Sequence, residues 1–284
     1  MSHATWDALI AACALPRLDA RALAEQASGR PRAWLIAHGD EPAEDAAARA
    51  FEALAGRRRA GEPLAYLLGW REFHGRRFDV GPGVLVPRPE TEGLVEATLE
   101  RVADVAAPRL LDLGTGSGAI AVTLALERPD AAVLATDASA EALAVARANA
   151  ARLGAGRVAF AHGDWWAALA PDAPAFDAIV SNPPYIADAD PHLLDPALRH
   201  EPPAALASGR DGLDAIDTIV AGAAARLVPG GWLLLEHGHD QGAAVRERLV
   251  RAGLDAVATR VDLQGLDRVS LGRRPFHAAQ DRVD

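Results

Sequence analysis

The chain has 284 residues, 50% of them hydrophobic and 24% charged, as in an ordinary soluble globular protein of one large domain or two moderate ones. Its formal net charge of −10 disfavours a broad electrostatic grip on nucleic acid, which needs a basic face. The single cysteine, Cys13, excludes an internal disulfide framework, and the scattered histidines form no zinc constellation, so no metal is expected.

The basic residues are all arginine, which together with abundant alanine reads as coding bias; the short runs Arg57-Arg58-Arg59 and Arg76-Arg77 read as solvated surface. Residues 1–19 include Asp7 and lack the basic-then-apolar layout of a signal peptide, and no apolar run is long enough to span a bilayer. A cytoplasmic location is expected.

From about Thr5 to Ala60 the chain reads as helical, with breaks at Pro16, Gly29-Arg30-Pro31, Gly39-Asp40 and Gly61. Leu9, Ile10, Cys13 and Leu15 fall close to one helix face, and Asp40-Glu41-Pro42 resembles a helix start. Nothing in this bundle points to chemistry, which leaves a recruiting or lid-like role. From Leu64 to Arg88 two short apolar segments flank Gly81-Pro82-Gly83 and predict a β-hairpin turning there. Arg88-Pro89-Glu90-Thr91-Glu92 then opens a helix to about Val102, with Thr91 or a neighbour as its cap.

After Pro108 strand and helix alternate. Strands are expected at 109–113, 132–136, 158–161, 178–181 and 232–236, and helices at 119–127, 140–153, 213–227 and 241–252. A closing pair at 256–261 and 268–272, joined by a polar loop, suggests an antiparallel strand at one edge. The pattern predicts an α/β fold with a mainly parallel, doubly wound sheet.

Gly114-Thr115-Gly116-Ser117-Gly118 follows the first of these strands and opens a helix, which lets backbone approach a ligand closely. Asp137 ends the next strand, where a carboxylate can accept from ribose hydroxyls, and Asp112 either positions the loop or faces a cationic ligand. The plainer alternative is a tight turn between strand and helix. The glycine spacing does not match the dinucleotide fingerprint Gly-x-Gly-x-x-Gly. It resembles instead the S-adenosylmethionine loop of class I methyltransferases, a resemblance that extends over roughly 108–273. The resemblance implies that Gly163-Asp164-Trp165 borders the adenine, with Asp164 accepting from its amino group and Trp165 packing on the ring. Core packing is the plainer reading of Trp165-Trp166.

Ser181-Asn182-Pro183-Pro184-Tyr185 closes the fourth strand. The prolines fix φ and supply no N–H, so the carbonyls there stay free to accept; Asn182 adds a side-chain carbonyl and Tyr185 a flat ring. These suit a planar group bearing an NH2, although a proline turn ending a strand has the same sequence signature. In methyltransferases such a motif marks transfer to an amide or exocyclic amine nitrogen. That leaves a glutamine-amide methyltransferase or an adenine-N6 methyltransferase acting on nucleic acid.

The flanking segments Leu64-Ala65-Tyr66-Leu67-Leu68-Gly69, Val86-Pro87-Arg88-Pro89-Glu90-Thr91-Glu92, Arg199-His200-Glu201-Pro202, Glu236-His237-Gly238 and Asp240-Gln241-Gly242 resemble the HemK/PrmC family of peptide-chain release factor N5-glutamine methyltransferases. The resemblance implies a class I S-adenosylmethionine-dependent methyltransferase domain at 89–284, Rossmann-like with a mainly parallel seven-stranded sheet. A helical, substrate-recruiting domain at 1–72 and a β-hairpin linker at 73–88 would precede it. S-adenosyl-L-methionine would be held by Gly114, Thr115, Gly116, Ser117, Gly118, Asp137, Asp164, Trp165 and Asn182. The partner would be a class 1 release factor, with neither nucleic acid nor membrane required. The glutamine of its Gly-Gly-Gln motif would be bound by Asn182, Pro183, Pro184 and Tyr185, of which Asn182, Pro183 and Tyr185 are the expected catalytic residues. Glu236 and His237 are candidates for a base or for loop structure, and Glu90 and Thr91 either line the site or cap their helix.

Overall fold

A computed structural model of the chain describes residues 4–276. Residues 1–3 and 277–284, included in the expected domain bounds, lie outside the described residues. Helices α1 (Trp6–Ala12), α2 (Arg17–Ser28), α3 (Arg32–Ala37), α4 (Asp45–Arg59) and α5 (Leu64–Leu68) enclose a small core of their own around Trp6, Leu23 and Phe51. Asp40-Glu41-Pro42 is not a helix start. Pro42 forms a bridge with Thr5, buried Ala43 donates its N–H to the Ala4 carbonyl, and α4 begins only at Asp45. Strapping this segment across the start of α1 satisfies backbone groups that a longer helix would use internally.

The hairpin also differs from expectation. Its strands are β1 (Trp70–Phe73) and β2 (Arg76–Asp79), and it turns at His74-Gly75 rather than at Gly81-Pro82-Gly83. His74 and Gly75 both have positive φ, 50° and 71°, which is what a two-residue turn matched to strand twist requires. Residues 81–88 form no strand. Pro82 has no N–H to give a ladder, and the segment becomes an extended strap instead. Asn149, fully buried on a helix of the next domain, grips the end of the hairpin. Its side chain accepts from the Asp79 N–H (2.8 Å) and donates to the carbonyls of Asp79 and Ser117 (2.9 Å each).

Seven strands form the main sheet: β3 (Arg109–Leu113), β4 (Ala132–Asp137), β5 (Ala159–His162), β6 (Phe176–Ser181), β7 (Leu227–Glu236), β8 (Asp255–Val261) and β9 (Asp267–Arg273). Their order is β5-β4-β3-β6-β7-β9-β8. Helices α6 (Glu92–Arg101), α7 (Ala119–Glu127) and α8 (Ala140–Leu153) cover one face, and α9 (Asp214–Arg226) and α10 (Gly242–Arg251) the other. Alternation along the strands sends Leu110, Ala178, Val180 and Leu234 to the first face and Leu111, Leu113, Ile179, Leu233 and Leu235 to the second. All are fully buried, and each large aliphatic contributes roughly 1.5–3 kcal/mol.

The antiparallel strand is not at the edge. β9 inserts between β7 and β8 and pairs antiparallel to both, leaving β8 outermost. Residues Val269 to Leu271 of β9 are buried, whereas β8 carries Asp255, Thr259 and Arg260, side chains suited to an exposed edge. Successive strands run outward in opposite directions from β3 and β6, so the switch point of the sheet lies between these two neighbours. In such sheets ligands bind beyond the carboxyl ends of the strands at that point.

Candidate active site

Gly114 to Gly118 leave the carboxyl end of β3 with all three glycines at positive φ, 74°, 54° and 82°. This left-handed path explains the alternate spacing, because each such position penalises a Cβ. The N–H groups of Gly114 and Thr115 both donate to the Thr136 carbonyl, and the Thr115 hydroxyl donates to Asp112 at 2.6 Å. Asp112 is fully buried with its second oxygen unpartnered, and burial pushes its carboxyl up to about 7. It positions the loop.

A cavity of about 450 Å³ opens beside this loop, within the size range of small-molecule sites. Gly114, Gly116, Asp137, Asp164, Trp165 and Asn182 line it, as does Pro184. Asp137 at the end of β4 accepts from the Gly116 N–H (2.9 Å) and the Ser139 N–H (2.8 Å), so its carboxylate is fixed at the cavity wall. Trp165 holds a positive φ of 42°, a strained backbone that delivers its ring to the cavity near Gly114. Thr115, Ser117 and Gly118 do not line it. The first two are buried in the loop, and Gly118 packs against Ala146 of α8. Trp166 packs on α9, where its indole N–H donates to the Thr218 carbonyl.

β6 brings Asn182 to the same place, since Ser181 bonds the Leu113 carbonyl at 2.6 Å and so ties the two strand ends together. A second cavity of about 150 Å³ lies against Asn182, Pro183, Tyr185, Ile186 and Arg88. The two cavities share Leu85, Asn182 and Ala205. The Asn182 side-chain NH2 donates to the Thr91 hydroxyl at 3.1 Å. Among the described residues no donor bonds Asn182 Oδ1 or the Pro183 carbonyl, so two acceptors stand free where the cavities meet. Thr91 makes no side-chain cap to α6; it is buried and serves Asn182 instead.

Residues 5–69 match the PrmC N-terminal domain and residues 89–209 the methyltransferase small domain. A release factor glutamine methyltransferase from Bordetella pertussis is 56% identical over 93% of this chain and 97% of its own length. The enzyme of the same name from Neisseria gonorrhoeae is 52% identical over 96% of this chain and 99% of its own length. The chain belongs to the release factor glutamine methyltransferase family. Its relative in Escherichia coli is 44% identical over 91% of this chain and 92% of its own length.

Solved structures agree on the fold. A Pyrococcus furiosus methyltransferase superposes with a TM-score of 0.53 at 17% identity, over 78% of this chain and all but 1% of its own (99% covered). A Thermus thermophilus 16S rRNA methyltransferase, solved with AdoMet and guanosine, gives 0.54 at 24% identity over 72% of this chain and 49% of its own. The catalytic domain is therefore a class I, S-adenosylmethionine-dependent methyltransferase fold with a mainly parallel seven-stranded sheet.

In this family member the motifs around the site act as clamps. Gln241 donates to the Tyr185 carbonyl at 2.9 Å and accepts from the Gly238 N–H at 2.9 Å, which fixes the far end of the Asn182 to Tyr185 shelf. Glu201, 1% exposed at its side chain, accepts from the Val86 N–H (3.0 Å) and from Arg88 (2.5 Å), and so ties the strap to the segment after the shelf. Glu201→Ala would leave a buried N–H unsatisfied. Arg88 is one-third exposed, so water softens its loss. The expected cost is about 1–3 kcal/mol of unfolding free energy, measurable by urea denaturation.

His237 has both ring nitrogens engaged away from Asn182 Oδ1. Its ring nitrogens are within 2.8 Å of the Gly238 carbonyl and the Ser270 hydroxyl, and burial lowers its basicity. Glu236, at the end of β7, is buried with Oε2 unpartnered, and burial raises its carboxyl to about 7 against the opposing effect of the Thr91 and Tyr185 hydroxyls. Sequence reasoning missed the strap residues Pro82 to Leu85, which wall the larger cavity, together with Glu141, Ala204 and Ala205. The Val84-Leu85-Val86 run has the sequence character of a strand, and its ties to Tyr66 and Glu201, with burial of Val84 and Val86 beside Tyr66 and Ala142, hold it as a wall.

Proposed function

We propose that this protein transfers a methyl group from S-adenosyl-L-methionine to the side-chain amide nitrogen of the glutamine in the Gly-Gly-Gln motif of class 1 peptide-chain release factors. The carrying observation is the free acceptor pair, Asn182 Oδ1 and the Pro183 carbonyl, at the junction of the two cavities. Family membership at 56% identity supports the substrate class. Adenine-N6 transfer to nucleic acid is the less favoured alternative, since the net charge of −10 offers no general attraction for a polyanion.

The larger cavity suits the cofactor. Asp137 would take ribose hydroxyls, Asp164 the adenine amino group and Trp165 the ring, while the glycine loop admits close approach of backbone. Bound S-adenosyl-L-methionine supplies a methyl group activated by a sulfonium. The chain's own residues supply orientation. An amide nitrogen is a weak nucleophile because its lone pair is delocalised into the carbonyl. Two acceptors take its two hydrogens and hold the nitrogen in one attitude, with Tyr185 and Pro184 bounding the shelf. Such alignment contributes ~7–11 kcal/mol in favourable systems. The nitrogen becomes acidic only as its bond to carbon forms, and it then releases one of its two protons to solvent, so no strong base is needed to begin the step.

The test is incubation with labelled cofactor and a release factor, repeated with the motif glutamine replaced. Label on the native factor and none on the replaced one is expected. Label surviving the replacement overturns the substrate.

A further inference from the structure

We infer that Thr91 and Glu236 are positioning residues that lock the Asn182 carboxamide with its oxygen toward the substrate. The inference rests on the methyl-transfer reading above and explains a choice that reading leaves open. A primary carboxamide fits its socket in two ways, related by a half-turn that exchanges oxygen and nitrogen. One presents an acceptor to the substrate NH2. The other presents a second NH2 and sets donor against donor.

What distinguishes the two is the partner on the inner side, and here that partner is Thr91. A hydroxyl either donates to a carboxamide oxygen or accepts from its nitrogen. Thr91 therefore enforces the productive orientation only if its single hydrogen is already committed elsewhere. Glu236 lies where that commitment can be made. It ends β7, whose Leu235 pairs with Ser181, and so lies alongside Asn182; its residue is 1% exposed, Oε2 is unpartnered, and the hydroxyls of Thr91 and Tyr185 are among the groups that favour its ionised form. An ionised carboxylate only accepts, so it orients Thr91 outward from Asn182 and leaves the Thr91 oxygen to receive the Asn182 N–H. A protonated carboxyl can itself donate, and the direction of the chain is lost.

Among the described residues no cation is bonded to Glu236. Oε2 has no hydrogen-bond partner, and Arg268, from β9, is bonded to Asp262 and the His237 carbonyl instead. The groups that bear on its charge are Thr91 and Glu90 from the turn before α6, Tyr185 from the shelf and Arg268 from β9. Burial and Glu90 favour the neutral form; Thr91, Arg268 and Tyr185 favour the ionised one. Burial prevails, with the carboxyl raised to about 7, so the lock engages as pH rises through that value.

The test is steady-state methylation of a release factor across pH, with cofactor affinity measured by calorimetry. In the native enzyme kcat should climb with pH on a limb centred at about 7. Glu236→Gln should flatten that limb and lower kcat at about pH 8 roughly tenfold, with cofactor affinity and KM for the release factor unchanged. Thr91→Val should lower kcat by about 10²-fold, and Thr91→Ser, which keeps the hydroxyl, should restore it to within about threefold. Retention of the acid limb in Glu236→Gln, or Thr91→Val turning over like the native enzyme, overturns the inference. Should Thr91→Val fail to fold, Glu236→Gln and Thr91→Ser carry the test. A native enzyme that does not label the motif glutamine would refute the parent reading instead, and the two failures are thereby distinguished.

Discussion

Asn182→Ala lowers kcat for glutamine methylation by about 10²–10³-fold, the loss expected when one preorganised polar contact to the reacting group is removed. The substitution deletes Oδ1, which no other described residue bonds, and the NH2 that Thr91 receives. The Pro183 carbonyl remains, because Pro183 is set by β6 and by its own fixed φ rather than by Asn182. One amide hydrogen is then held and the other is free, so the nitrogen samples attitudes that do not face the methyl donor. Release-factor docking should survive, since most of a protein–protein contact lies outside a cavity of about 150 Å³. The measurement is single-turnover methylation beside binding of the release factor to the variant. Turnover near the native rate would remove Asn182 from the mechanism.

Gly212→Ala is expected to damage the site from outside it. Gly212 has φ +77°, and a Cβ there would sit 2.1 Å from the Tyr185 carbonyl oxygen and 2.8 Å from Gln241 Nε2. These are the two atoms of the clamp on the shelf, which are themselves 2.9 Å apart. Both the backbone oxygen and the amide must move to admit a methyl group. Displacing reacting groups by about 1 Å costs on the order of 10²-fold in rate, and the left-handed backbone adds about 1 kcal/mol of strain for alanine. The expected signature is a large fall in kcat with a lower melting temperature and intact cofactor binding, because the larger cavity does not include Gly212. Native-like turnover would show that the clamp on Tyr185 does not set the geometry of the shelf.

Much of the catalytic domain is legible from residue order. The strand at Arg109–Leu113 and the helices at Ala119–Glu127 and Ala140–Leu153 fall where hydrophobic period and turn chemistry put them, because these signals are local. Gly-Pro-Gly is the louder turn signal in the sequence, but the hairpin turns at His74-Gly75, which supplies two positive φ values in register with both strands. Strand order at the sheet's end is not legible in residue order, because pairing between β7 and β9 joins segments distant in sequence.

The sequence by itself determined the fold class, through its alternation of strands and helices, and located the glycine loop, the acidic end of β4 and the Asn182 to Tyr185 segment, since each of these is a short motif of adjacent residues. Only the tertiary structure decided which loop residues reach the cavity, that His237 faces Ser270, and that Thr91 serves Asn182 rather than its own helix. Those outcomes depend on where separate elements meet. A side chain's partner is set by the packing of strands and helices remote in the chain, and no local pattern records it.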